Sequence, residues 1–267
     1  MPSDPSPTIE TLLPGMSWFT DIGRVSFCSI LLITSEDKRV LVDTGHAGRR
    51  VATLEALRTR GIQPTEIDYI FQTHAHFDHV QNFDLFPDAP VLLTPAELQY
   101  VQRPHPNDFG TPLWTAAALA TTRTQAVSGG DEIARGVRVI ELPGHSAGSA
   151  GLLLETEAGR IGVAGDAVAA GWSARDRMPA IVFWNEQQSR ESIDKLLASA
   201  DLIYPGHDRP FRLVDGKIIY HEPFQLTIGN LDPAQEGLRF DPTPPTTFVM
   251  PGIETQTLSS AQRTITS

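Results

Sequence analysis

Apolar residues along the chain fall into short runs that stop at polar, glycine or histidine positions. From Val25 to Ile33 and from Arg39 to Val42, β-branched and aliphatic residues flank the polar stretch Thr34 to Lys38, which predicts a hairpin. Between Ala47 and Arg60 the apolar residues Val51, Leu54 and Ala56 or Leu57 recur at helical spacing, and Gly61 supplies the stop. A strand is predicted over Ile67 to Gln72, a short one over Val91 to Leu93, and then a helix opened by Pro95. Further strand-like runs cover Val137 to Leu142, Leu152 to Glu155 and Ile161 to Ala164. Asn185 is placed to cap a helix running to about Ala200, with Ile193, Leu196 and Leu197 as its buried stripe. A last strand, Leu202 to Tyr204, precedes a hairpin around Asp215-Gly216.

Strands recur in both halves with helices between them, the pattern of an α/β layered sandwich. No repeat of fixed period interrupts it. Residues 1–17, rich in Pro, Ser and Thr, are expected as a flexible lead-in, with order beginning near Trp18. Residues 18–231 are expected to form one domain, and the proline-rich residues 232–267 an extended arm. Arg103 to Thr115, holding Pro104, Pro106, Gly110 and Pro112, reads as an irregular loop, either a lid or an ordered surface loop. The apolar Phe248-Val249-Met250 needs a resting place. That place is a second subunit, giving a homodimer, or the chain itself.

With 267 residues and 40% hydrophobic content the chain can close a core. Its 21 Lys+Arg against 32 Asp+Glu leave a net charge of -11, a repulsive field for a phosphate backbone, so no nucleic-acid partner is expected. Apolar runs such as Ile30 to Ile33 fall far short of the roughly 20 residues that cross a bilayer, so no membrane partner is expected either. The opening Met1 to Pro7 lacks the basic and apolar regions of a secretory signal, which gives a soluble cytoplasmic protein as the expectation. The single cysteine, Cys28, excludes an intrachain disulfide and a closed thiolate metal site, and reads as a small buried apolar residue.

The chemistry is concentrated in His74-Ala75-His76-Phe77-Asp78-His79, three imidazoles and one carboxylate within six residues. A turn after a strand can aim His74 and His76 at one point and Asp78 and His79 at a neighbouring one, which suits two adjacent divalent ions. Three more residues complete the set: His145 in Pro143-Gly144-His145, Asp166 in Ala164-Gly165-Asp166, and His207 in Pro205-Gly206-His207. Each directly follows an apolar run. Imidazole nitrogen and carboxylate oxygen suit zinc, with iron or manganese as alternatives.

On these residues, together with Leu41-Val42-Asp43-Thr44-Gly45, the stretch from Trp18 to Leu213 resembles the metallo-β-lactamase superfamily. The resemblance implies an αββα sandwich of two mixed β-sheets flanked by helices, with metals between the sheet edges. It implies that His74, His76 and His145 bind a first zinc and Asp78, His79 and His207 a second. Asp166 would bridge both, with Asp78 and Asp166 taking part in catalysis and Asp43 orienting a ligand from outside the set. His76 stands where flavin-linked di-iron members carry Glu. His79 stands in a run whose last His the best-studied class B lactamases lack, which groups the chain with glyoxalase II-like, lactonase-like and phosphodiesterase-like members. The segment after Leu213 is too proline-rich for the helical substrate domain of glyoxalase II. The tyrosine that lactonases carry shortly after the bridging Asp is absent from Asp166-Ala167-Val168-Ala169. Tyr204 is the nearest substitute, with packing in the sheet as its other reading.

The implied activity is dizinc hydrolysis of a lactone, ester, thioester or cyclic amide, lactonase-like chemistry being favoured. A phosphodiesterase or nuclease on the same metals, and a mono-iron persulfide dioxygenase, are the alternatives. Trp18, Phe77, Phe109, Trp114, Trp172 and Trp184 all fall in or beside loops and are expected to form an apolar wall around the metals, for a small-molecule substrate with an apolar group. His46 and Asp208 are read as turn caps or as site neighbours, His105 and His221 as surface residues.

Overall fold

Two mixed sheets stack face to face because the strand runs are apolar on both faces and need cover on each side. The computed structural model describes residues 6–255 apart from 37, 158, 231, 233, 235, 236 and 238. The outer parts of the lead-in and the arm, residues 1–5 and 256–267, lie outside the described residues.

The chain opens with β1 (Thr8–Leu13), β2 (Met16–Thr20), β3 (Gly23–Phe27), β4 (Ile30–Ser35) and β5 (Lys38–Val42). Helix α1 (Arg50–Arg58), β6 (Tyr69–Phe71), the single-turn α2 (Phe77–Val80), β7 (Val91–Leu93), α3 (Pro95–Tyr100), α4 (Trp114–Leu119) and β8 (Thr124–Ala126) complete the first half. The second half holds β9 (Glu132–Ala134), β10 (Val137–Glu141), β11 (Ala150–Thr156), β12 (Gly159–Gly165), α5 (Gly171–Asp176) and β13 (Ile181–Val182). After these come α6 (Glu186–Ser199), β14 (Leu202–Pro205), β15 (Phe211–Val214), β16 (Lys217–Tyr220) and β17 (Phe248–Val249). One sheet has the order β1-β4-β5-β6-β7-β8 and the other β16-β15-β14-β12-β11-β10-β9.

Strand alternation explains the three layers of core. Leu31 and Ile33 of β4 face the space between the sheets with Val40, Val42, Leu152, Leu154 and Val163. Ile30 and Leu32 point the other way, toward Leu57 of α1. Behind the second sheet, Ile193 and Leu196 of α6 close on Ile140, Ile203 and Phe211. No helix among the described residues is long and apolar enough to cross a membrane.

Several expectations are corrected. Regular structure begins at Thr8, where β1 pairs antiparallel with β4, so the lead-in is not loose up to Trp18. The run Val25 to Ile33 is two strands. The chain breaks off at Cys28-Ser29 because Ser29 N donates to Gly206 O at 2.6 Å, tying it to the loop that carries His207. The buried stripe of α1 is Thr53 and Leu57, whereas Val51 is 79% exposed. One turn of that helix is held down by Arg49, whose buried guanidinium donates to the carbonyls of Pro14 and Cys28. Phe248-Val249-Met250 rests on its own chain: β17 pairs in parallel with β13, and Met250 is buried against Ile181 and Phe183.

Asn185 caps α6 as expected, its Oδ1 accepting from Gln188 N at 2.9 Å. Asn185→Ala removes that acceptor and should lower stability by about 1 kcal/mol, seen as a melting temperature roughly 2–4 °C lower in a thermal scan. Cys28 is fully buried, and burial pushes its thiol up to about 12. Thiol titration should therefore find no reactive group in the native protein at pH 8 and one after denaturation.

Candidate metal centre

The topology brings five loops to one end of the sandwich. Strands β5 and β6 run parallel, with Val42 opposite Phe71, so Asp43 and the His74 turn leave the first sheet together. In the second sheet β12 and β14 run parallel, with Gly165 opposite Pro205, so Asp166 and His207 emerge side by side. Strands β10 and β12 are both antiparallel to β11 and point the same way, which adds His145 at that end.

The seven residues read as ligands converge in buried space. Donor atoms of His74, His76 and His145 lie within 4.8 Å of one another, as do those of Asp78, His79 and His207. Asp166 sits between the groups, its Oδ1 3.4 Å from His79 Nε2 and its Oδ2 3.1 Å from His207 Nε2 and 3.6 Å from His145 Nε2.

Hydrogen bonds decide which ring nitrogen faces inward. His145 Nδ1 donates to Ile181 O at 2.9 Å and His207 Nδ1 to Phe27 O at 3.0 Å. A carbonyl can only accept, so the proton of each neutral ring is on Nδ1 and its Nε2 carries a lone pair. His79 Nδ1 donates to Asp43 Oδ2 at 2.7 Å by the same logic. Thr73 Oγ1 spends its proton on Asp43 at 2.9 Å and accepts from His74 Nδ1 at 3.0 Å. His74 Nε2 and Asp166 Oδ1 are buried without a partner.

His79 Nε2 and His207 Nε2 then face each other at 3.4 Å with both far-side protons claimed, and two neutral rings so placed repel unless a cation lies between them. His145 Nε2 faces His76 Nδ1 at 3.0 Å, a contact that a His76 proton or a cation satisfies, and with His74 Nε2 unpartnered beside it the donor set fits divalent metal there too. Burial would lower His76, His79 and His207, but Asp108 beside the first, Asp43 beside the second and Asp166 beside the third hold them above the ordinary imidazole range, so a metal there displaces protons. The other two rings are neutral already. Burial pushes the His145 imidazole down to about 4, and with its neighbouring imidazoles it holds His74 well below its ordinary range, so both are neutral ligands. Burial would raise the Asp166 carboxyl, but His207 and His79 hold it well below the usual carboxylate range.

Three supports were not evident from the sequence. Asp108 lies 3.7 Å from His76 Nε2 and accepts from Gly110 N, Thr111 N and Tyr100 Oη. Burial alone would raise its carboxyl, but His76 and these donors hold it far below the usual range. Glu97, fully buried on α3, accepts from Ala75 N at 2.9 Å and from Ser146 Oγ and Gly148 N at 2.8 Å, so it clamps the His74 turn to the His145 loop. Ser26 Oγ donates to Asp78 Oδ2 at 2.6 Å. Asp43 is held in a left-handed backbone conformation, φ 56°, a strained placement that aims its carboxylate at Thr73 and His79.

The aromatic residues divide. Phe183, unforeseen, packs its ring edge-on to His76 at 4.8 Å and lies 5.6 Å from His145. Phe109, 60% exposed, meets Phe183 edge-on at 4.9 Å, and Phe248 joins both. Phe77 lies on the ligand turn itself, its N–H bound by Gly110 O at 2.8 Å. Trp18 contacts Phe224 and Trp184 contacts Tyr100. Trp114 begins α4 and Trp172 lies on α5, with no ring contact to a ligand histidine among the described residues. The loop from Arg103 to Thr115 is tied down by Asp108 and by His105 and Asn107, which bond Thr255 and Pro251. Tyr204 packs between the sheets. His46 caps a turn at Gly48 and stacks on Phe27, Asp208 accepts from Gly171 N and Tyr220 Oη, and His221 accepts from Arg212.

Comparison with known proteins agrees with this geometry. The sequence model of the metallo-beta-lactamase superfamily matches residues 23–207. The chain is 33% identical over 182 residues to metallo-beta-lactamase domain-containing protein 1 of Mus musculus, covering 66% of this chain and 61% of that protein, so it spans less than two thirds of that relative's length. It is 27% identical over 164 residues to an N-acyl homoserine lactonase of Bacillus cereus, covering 60% of this chain and 62% of the lactonase. A lactonase variant of Bacillus thuringiensis, solved with N-decanoyl-L-homoserine at its active site, superposes with a TM-score of 0.61 at 18% identity, covering 76% of this chain and 93% of the other. At that identity the likeness is one of fold.

Asp43→Ala leaves His79 and Thr73 without their acceptor. Zinc affinity should fall by about 10–100-fold, measured by competition with a chromogenic chelator, while the far-UV circular dichroism stays that of the parent.

Proposed function

The chain belongs to the metallo-β-lactamase superfamily, and on that premise we propose that it is a dizinc hydrolase that opens or cleaves a small organic carbonyl substrate bearing an apolar group, with a lactone favoured over an ester, thioester or cyclic amide. The observation that carries the reading is the pair of buried donor groups, His74, His76 and His145 beside Asp78, His79 and His207, with Asp166 reaching into both. These residues would hold the two ions. When bound, such ions supply Lewis acidity toward a carbonyl and a water that ionises near neutral pH.

The protein's own groups prepare the rest. Asp43, Ile181 O and Phe27 O fix the protons of His79, His145 and His207 on the outward nitrogens, so each ring offers its lone pair without rotating. Ser26 pins one oxygen of Asp78. Phe183 shields the His76 and His145 side from water, and the exposed rings of Phe109 and Phe248 extend that wall outward as a seat for an apolar group. The likeness to an N-acyl homoserine lactonase supports a lactone, whose acyl chain is the kind of group such a wall accepts. The net charge of -11 disfavours a nucleic-acid substrate on the same metals.

Elemental analysis of protein purified without added metal should give two zinc ions per chain, and the same sample should open a lactone or cleave a thioester in preference to a phosphodiester. One iron per chain, or cleavage of the phosphodiester alone, overturns the reading. Phe248→Ala, away from the ligands, should raise KM several-fold for a long-chain acyl lactone and leave the short-chain one unchanged.

A further inference from the structure

One cation near the centre has no part in holding it. Strands β2 and β3 form a separate two-stranded ribbon in which Ser17 pairs with Ser26 and Phe19 with Arg24. Side chains two apart on a strand share a face, and directly opposed residues share it too. Ser17, Phe19, Arg24 and Ser26 therefore project from one side of the ribbon, and Ser26 shows which side, because its hydroxyl is bonded to Asp78.

Arg24 is half-buried on that face. Its Nε donates to Ser17 Oγ at 2.8 Å and its guanidinium lies 4.6 Å over the Phe19 ring. Those contacts fix the plane of the fork and leave its terminal nitrogens, among the described residues, without a hydrogen-bond partner or ion pair. Arginines elsewhere on the surface are matched: Arg50, Arg60 and Arg190 reach Asp84, Glu10 and Glu186 at 2.7, 2.6 and 2.8 Å. Burial lowers the Arg24 pKa while Asp166 and Asp78 oppose that, so its charge and theirs act on one another. They are not its partners, since both are engaged with the histidines. With two divalent ions bound, Asp78 and Asp166 would turn to the metals, so neither carboxylate is available to the guanidinium.

We propose that Arg24 anchors a carboxylate that the substrate carries away from its scissile carbonyl, a specificity that rests on the hydrolase reading above. A guanidinium with its plane fixed and its outer nitrogens free matches a carboxylate through two parallel hydrogen bonds. The ribbon thus supplies an anion subsite on the Asp78 side of the centre. The aromatic wall stands on the His76 side.

The test uses the zinc-loaded full chain and matched aryl esters whose acyl chains end either in a carboxylate (succinate, glutarate, adipate) or in a methyl group of the same length. For at least one length the wild type should favour the carboxylate ester by about tenfold in kcat/KM, carried by KM. Arg24→Gln should abolish that preference without changing the methyl ester, and Arg24→Lys should keep part of it. Binding of the free diacids is measured beside butyrate by calorimetry. The best diacid should bind the wild type about tenfold more tightly than butyrate does, and Arg24→Gln should bind the two alike. No preference at any chain length, or a preference that survives in Arg24→Gln, overturns the proposal while leaving the hydrolase reading intact. If no ester is cleaved, diacid binding decides on Arg24 by itself, and the lactone, thioester and phosphodiester assay above decides on the hydrolase reading.

Discussion

Imidazole nitrogens turned toward one another inside a protein, His79 Nε2 and His207 Nε2 at 3.4 Å above all, are the constraint on which this fold turns. Asp43 and Phe27 O claim the far-side protons of those two rings, so as neutral groups they meet lone pair to lone pair. A cation relieves that contact, and the surroundings are built to keep the rings where a cation needs them. Glu97 joins two ligand loops, one from each sheet, and Gly206 passes so close to Asp166 that a Cβ there would lie 2.1 Å from its Oδ1. The sandwich is thus stitched at its functional end by polar contacts, while apolar packing between the sheets sets the angle at which those contacts meet.

That these seven residues come together was legible in the sequence because they follow apolar runs at strand ends, where backbone direction and sheet order place side chains in common. Runs buried on both faces, such as Ile30 to Ile33, were equally plain. What resisted reading was whatever depends on partners far along the chain. Val51 carries helical periodicity, yet α1 turns its Thr53 and Leu57 inward because Arg49 fixes its first turn. Glu97 stands three residues after Thr94, in the first turn of a helix opened by Pro95, where a helix start accounts for it completely, and only the fold shows its carboxylate turned toward Ala75, Ser146 and Gly148.

The aromatic residues teach the same lesson. Among the described residues the aromatic ring against the clustered histidines is Phe183, with the expected Phe109 packed on it and Phe248 beyond, and Phe183 and Phe248 sit on the short strands β13 and β17 or beside them. Strands of two residues carry too little periodicity to be recognised. Their pairing joins Ile181 to Phe248 and Val182 to Val249, positions distant in the sequence, which no local pattern encodes.

That pairing also separates two lifetimes. Among the described residues β17 is held to the rest of the chain by main-chain bonds from Phe248 N to Ala180 O and from Met250 N to Val182 O. A contact so short opens at a small fraction of the free energy of global unfolding. The carbonyl that fixes His145 belongs to Ile181 and stays behind when β17 lifts. Hydrogen exchange at Phe248 and Met250 would then run fast against a slow background at the histidine loops, the signature of a molecule whose polar cage and aromatic wall breathe on different clocks.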